Sequence, residues 1–425
     1  MPDRSSRVPL GASPFGHAAP SIILAVLFMA ATIVWAVVDV LPGGRWFAVH
    51  LFTLGVLTNA VLTFSDHFSR TLTRWPGERA WWWPLPINGA IVTMLVGMQL
   101  AGRWVFAIGA TGVLTVVLMS YWRIRTMRKR ALGPRFGWVV RMYERAHGAF
   151  VHGALLGILL GIGVVAGPWY GTARLAHLHI NIFGWGGLTL LATLVFFGPS
   201  MARTRIEPGA DARAAKALRI GATALTVAVV ALLLSAFAGT AGVVFRLLAA
   251  LMFAGFGWAV LVVCIPLVRA VCSARRSAQQ PLIVAVAFWF GGAAIADVVV
   301  IATAQWAWLD AIGAMMLAGV LAQAILATLI YLTPMLRGRT AQARDIMRDR
   351  LDRAALVRAV AFNAGVVALV LAAVPNGVAA ATVAGWLLVA TTITTTGAIA
   401  LSPLKAVDRP VDAPAADHQP SRQDA

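Results

Sequence analysis

Twelve apolar runs, separated by short bursts of arginine, divide a chain of 425 residues. They lie at about 20–41, 46–65, 84–101, 103–122, 147–167, 175–198, 217–238, 242–266, 281–302, 308–333, 355–375 and 378–402. A helix needs about 20 residues to cross about 30 Å of hydrocarbon. In lipid, a segment of that length satisfies its backbone hydrogen bonds only as a helix. The pattern predicts an all-α polytopic membrane bundle of about twelve transmembrane helices over 20–403. Residues 1–19 form an N-terminal tail, and the polar residues 404–425 form a C-terminal tail of disordered composition.

The placement of basic residues tests this count. If residue 1 is cytoplasmic, the segments predicted inside hold 31 of the 35 lysines and arginines. The largest bursts run from Arg123 to Arg145 and from Arg337 to Arg358. The outside keeps only Arg45, Arg103, Arg174 and Arg246. The positive-inside rule is met at every loop, which predicts both termini in the cytoplasm and a bacterial inner-membrane location. A missed or additional helix would scramble the alternation after it.

The net charge of +19 would fit a nucleic-acid partner if it lay on one folded face. Scattered between apolar runs it reads as topology, and the expected surroundings are the lipid bilayer with no nucleic acid. Only 12% of residues are charged and 60% are hydrophobic, against roughly 25% charged in soluble domains. Cys264 and Cys272 fall near the cytoplasmic end of one run, where a disulfide is disfavoured. No CxxCH occurs, so covalent c-type haem attachment is not expected. The first apolar run is long enough to stay in the membrane, and no cleavable signal peptide is expected.

Histidines carry the chemical signal. His17 and His418 lie in the tails and His67 in a cytoplasmic loop. His50, His147, His152, His177 and His179 lie in or at the ends of spans, where ionisable groups are costly and default to functional hypotheses. By the topology, His50, His177 and His179 share the outer side, while His147 and His152 open the fifth span from the cytoplasm. Asp39, Asp297, Gln305 and Asp310 also fall at outer ends. Imidazoles backed by carboxylates are the donor set of a metal or haem site. The candidate ligands are His50, His177 and His179, with His152, Asp297 and Asp310 as further candidates. Each has a plainer reading: interfacial histidines are common, and Asp297 and Asp310 would also suit ion pairs with Arg246.

Two local sequences match each other. His50-Leu-Phe-Thr-Leu-Gly55 and His179-Ile-Asn-Ile-Phe-Gly184 both place glycine five residues after histidine, in spans four apart, as in a worn internal repeat. A glycine there admits a flat macrocycle or another helix. Residues 177 and 179 are about 200° apart on an α-helix, so their side chains face nearly opposite ways, and the match to His50 favours His179 as its partner ligand. Gly153, Gly157 and Gly161 form a close-packing face. Gln323 and Asn363 are expected to hydrogen-bond between helices.

The stretch His177-Leu-His-Ile-Asn-Ile-Phe-Gly-Trp185 resembles the H-x-H-x-N-x-x-G-W motif of proteins similar to the haem–copper oxidase subunit I superfamily. His50 to Asn59 resembles the second-helix element of that group, which includes NnrS-type membrane proteins linked to nitric-oxide stress. The resemblance implies binding of haem b, with copper as a further metal, and chemistry on oxygen or nitric oxide. The oxidase plan has six histidines, whereas this chain has no intramembrane histidine after His179. That departure places a complete oxygen-reducing centre in doubt.

Three functions follow as expectations. The first is a haem-binding redox or nitric-oxide/oxygen-related membrane protein, a possible oxidoreductase served by an electron-transfer partner. The second is a transporter of a metal ion, haem or small solute, although the spans lack broken polar segments apart from Gln323. The third is a non-catalytic membrane partner of a copper oxidase.

Overall fold

The computed structural model describes residues 19–38, 41–77, 82–131, 137–274, 277–338 and 340–403. Both tails fall outside these residues, as do His17, Asp39, Trp81 and His418. The described chain forms thirteen helices: α1 (Ala19–Val37), α2 (Gly44–Thr73), α3 (Pro84–Ala101), α4 (Arg103–Arg130), α5 (Gly137–Gly161), α6 (Pro168–Met201), α7 (Ala210–Leu234), α8 (Gly239–Cys272), α9 (Gln280–Thr303), α10 (Trp306–Arg337), α11 (Ala341–Asp352), α12 (Ala355–Ala373) and α13 (Ala379–Leu401). Eleven are long and apolar enough to cross a membrane. The twelfth expected span is α5, equally long but carrying Arg141, Glu144, Arg145, His147 and His152. Its polar residues are held by neighbours. Glu144 accepts from Arg128 and, at 2.7 Å, from Arg125. Tyr143 meets Thr193 at 2.9 Å.

The helices exceed the apolar runs mainly at one end. α2 continues to Thr73, α4 to Arg130 and α8 to Cys272. These extensions reach the arginine-rich end of the bundle, where polar residues continue a helix past the hydrocarbon and hydropathy no longer marks it. The short α11 was not expected from the basic loop 334–354. Its first turn is capped by Thr340, whose Oγ1 accepts from the Ala343 N–H at 3.1 Å. Its buried Ala343, Met347 and Leu351 recur every fourth residue, the stripe of an amphipathic helix, and it packs beside α10 and α13.

Chain neighbours pack against one another around the bundle, and α13 returns to α1. Three helices sit inside. The spanning windows of α2, α6 and α10 are 67%, 72% and 61% buried, against 11–56% for the other eight. The same three carry π-helical segments of eight residues: Leu51–Thr58, Ile180–Gly187 and Met315–Ala322. π-wound turns (i→i+5) occur frequently at functional sites.

These segments share a pattern at their starts. The last α-helical residues before each π segment are His50, His179 and Ala314. Five residues on stand Gly55, Gly184 and Gly319. A side chain at any of them would overlap Phe28 of α1, Ala149 of α5 or Trp289 of α9, respectively. In each case, therefore, the preceding helix presses a side chain onto the glycine of its partner. Gly55-Val-Leu-Thr-Asn59 and Gly319-Val-Leu-Ala-Gln323 differ only by similar residues. At Gly55 and Gly184 the space beside the glycine is filled by a side chain of the preceding helix.

Candidate functional site: two histidine pairs at one end of the bundle

His50 ends the α-wound opening of α2 and is partly buried. Its Nδ1 lies 2.8 Å from the Trp46 carbonyl, and its ring stacks on the Trp46 indole with centroids 4.0 Å apart. A carbonyl only accepts, so the proton is on Nδ1 and Nε2 presents a lone pair. No described residue bonds that Nε2.

His177 faces His50 across the bundle. Their ring centroids are 6.4 Å apart with planes 18° from parallel. His177 is positioned by α5. Its Nδ1 donates to the Gly153 carbonyl at 2.7 Å, and a Cβ on Gly157 would come within 2.7 Å of its Cε1. The α5 glycine face is thus a seat for α6: Gly157 makes room for His177, and Gly153 makes room for Asn181. Asn181 donates to the His177 carbonyl at 2.8 Å and stiffens the turn. The Nε2 of His177, like that of His50, has no bonding partner among the described residues. Two imidazoles from separate helices therefore offer two free Nε2 donors.

His179 lies on the opposite side of α6, as the 200° offset predicts. It is fully buried. Its Nδ1 bonds the Leu175 carbonyl at 2.7 Å, and its Nε2 lies 2.9 Å from Oδ1 of Asp297 on α9. Since Nδ1 carries one proton, the Nε2–Asp297 contact holds a second, as imidazolium with carboxylate or imidazole with carboxylic acid. Phe253 and Phe183 wrap the ring. The other oxygen of Asp297 is buried without a partner. Both nitrogens of His179 are engaged, so the ring that the sequence match favours as partner to His50 is not the one beside it.

The remaining candidates disperse. His152 is exposed and bonds only the carbonyl of Gly148, at 2.7 Å. His147, expected at headgroup depth, is completely buried: Nδ1 meets the Tyr143 carbonyl at 2.8 Å and Nε2 meets Ser120 Oγ at 3.1 Å. Asp310 pairs with Arg45, and Asp297 with His179, so neither pairs with Arg246. Gln323 and Trp289–Asn363 bond between helices as expected, at 3.2 and 2.7 Å. Among the described residues no group of three or more His, Cys, Asp or Glu side chains converges as a metal-binding set. Among the described residues, the His50–His177 pair offers two imidazole donors.

The chain matches no family model, and no curated protein matches it at a significant level.

Proposed function

We propose that this chain is a haem-binding inner-membrane protein with a redox or nitric-oxide/oxygen-related role, its haem b held by His50 and His177. The observation that carries this reading is the facing pair of imidazoles with both Nδ1 atoms tied to carbonyls and both Nε2 atoms free. Carbonyl bonds of this kind fix the tautomer and orientation of a ligating histidine. His50 and His177 would hold the haem iron through their Nε2 atoms, and among the described residues no third metal-binding side chain joins them as a three-histidine copper centre would need. Copper is therefore the weaker form of the proposal. When bound, the haem would supply one-electron exchange. The protein would supply ligation, a fixed ring orientation through Trp46 and Gly153, and an apolar surround.

The arginine distribution supports an orientation with both termini in the cytoplasm and the histidine pair toward the outside. An electron-transfer partner would then approach from that side. The test is an optical spectrum of the detergent-purified protein, oxidised and then dithionite-reduced, with metal analysis of the same sample. A Soret band with sharp reduced α/β bands that disappears in His50→Ala and His177→Ala supports the reading. A colourless, metal-free protein from haem-replete cells sinks it.

The buried His179–Asp297 pair favours a second reading, transport of a cation or solute through the bundle. The three inner helices are rewound by π turns, so they are less uniform than the sequence indicates, and intramembrane ionisable pairs mark ion paths in transporters. Uptake into proteoliposomes that is saturable in wild type and lost in Asp297→Asn would favour transport over haem binding.

A further inference from the structure

Among the described residues, Arg45, Arg174 and Arg246 gather around one cavity. The cavity holds about 620 Å³ and lies between the starts of α6, α8 and α10. Arg174 and Arg246 line it. Arg45 reaches its edge through Asp310, the single carboxylate of the lining, and neutralises it. Neither Arg174 nor Arg246 has an ion-pair partner among the described residues. The Nε of Arg246 is sealed from solvent and makes no hydrogen bond. Arg174 is exposed and Arg246 half-buried, and two guanidinium groups without a carboxylate partner lining one opening create a demand for an anion.

The backbone adds to that demand. α6 opens at Gly167 and Pro168, and α8 opens at Ala238 and Gly239, and neither start has a side-chain cap. Their first turns, including Tyr170, Gly171 and Gly242, form part of the wall. Uncapped N–H groups and the positive end of the helix dipole favour an anion there. The rest of the wall is apolar and aromatic, with Phe237, Val243 and Trp306 among its members. Phe237 and Val243 remain half exposed.

We propose that this cavity binds a phosphate oxyanion through Arg174 and Arg246, with the headgroup of an anionic phospholipid from the adjoining leaflet as its natural source. The guanidinium fork matches phosphate oxygens. A cavity of this volume exceeds a free phosphate and accommodates a glycerophosphate headgroup, and the apolar wall at Phe237 and Val243 provides a path for an acyl chain. The site is separate from the histidine pair, so it stands whether or not a haem is bound there.

The experiment uses the full chain, delipidated in a neutral detergent and examined by native mass spectrometry and thermal melting. Phosphatidylglycerol, phosphatidylcholine and sn-glycerol 3-phosphate are the probes. The expected result is retention and thermal stabilisation by phosphatidylglycerol but not by phosphatidylcholine. Arg174→Gln with Arg246→Gln should weaken it by about tenfold or more, the equivalent of one lost charge-assisted bond. Arg246→Lys should fold normally and bind at an intermediate level. Arg103→Gln, which removes the remaining outer arginine, stacked on its own neighbour Trp104, should bind like wild type. Equal stabilisation by glycerol phosphate would keep the phosphate site and name a free solute as its source. Equal retention of phosphatidylcholine and phosphatidylglycerol, or unchanged binding in a folded double variant, would overturn the proposal.

Discussion

His177 and His179 are two residues apart and end up in opposite chemical situations. His177 bonds a carbonyl on another helix and leaves Nε2 free opposite His50. His179 is sealed, with one nitrogen on its own helix and the other on Asp297. The first arrangement holds a donor ready for something absent from the chain itself. The second satisfies a donor within the chain. A histidine is informative through its second nitrogen and what faces it: His152 also has Nδ1 on a carbonyl and no partner at Nε2, but it is exposed and faces no second imidazole.

The sharpest way to break this contrast is to remove each ring in turn and read pigment and stability separately. His50→Ala and His177→Ala should abolish haem retention while the purified protein stays folded, because neither Nε2 supports a hydrogen bond within the chain. His179→Gln should keep the pigment and lower the melting temperature. Absorbance at the Soret band per mole of protein, together with a thermal melt, checks both arms. If pigment is lost with His179→Gln and kept in His177→Ala, the roles are reversed.

Asp297 gives the next largest effect. Removing one partner of a buried ionisable pair costs about 3–5 kcal/mol. Asp297→Ala would leave His179 Nε2 facing Phe253 and Phe183 with no partner. Asp297→Asn keeps an amide oxygen to accept and should recover most of the loss. Folding yield and melting temperature distinguish the two. If Asp297→Ala behaves like wild type, the pair carries no structural load, and the free Asp297 oxygen points to transport instead.

The seat of His177 can also be filled. Gly157→Ala places a methyl within 2.7 Å of Cε1 of His177. Overpacking of this kind costs about 1–3 kcal/mol, and here it also turns the ring away from His50. Haem occupancy should fall further than stability, whereas Gly153→Ala, which meets Asn181 instead, should cost stability first. Occupancy measured against melting temperature for the pair of variants checks the difference.

Much of this was legible in the chain, in proportion to how local the signal is. The spans emerge at the expected places because lipid enforces both apolarity and length on each helix by itself, although α5 begins ten residues before its apolar run and ends six before the end of that run. The glycine face of α5 was readable as a packing surface for the same reason, though not as the seat of His177. The opposed directions of His177 and His179 followed from helical geometry alone. The choice of partner for His50 did not. His50 and His179 do share a setting, each directly ahead of a π segment with glycine five residues on. But positions that share a setting face neighbours of their own, and need not face each other. The third instance of the pattern escaped notice because Ala314 stands at the histidine position, leaving only Gly319 and Gln323 to mark it. The ends of α2 and α4 and the whole of α11 were obscured because polar helix beyond the hydrocarbon has no hydropathy signature.

Arg45 and Asp310 supply the smallest effect and a control for the pairing argument. Asp310 was a candidate ligand at the outer end, and it bonds Arg45, but the two side chains are 52% and 61% exposed. Exposed ion pairs contribute about 0–1 kcal/mol, so Arg45→Gln should shift the melting temperature barely at all. Its consequence should fall on the cavity instead. Without Arg45, the Asp310 carboxylate is no longer neutralised and stands beside any anion held by Arg174 and Arg246. Phosphatidylglycerol retention should therefore drop by a fewfold while stability holds, and the double variant Arg45→Gln with Asp310→Asn should restore it. If Arg45→Gln lowers the melting temperature as much as Asp297→Ala does, the distinction between the exposed and the buried pair at this end of the bundle fails.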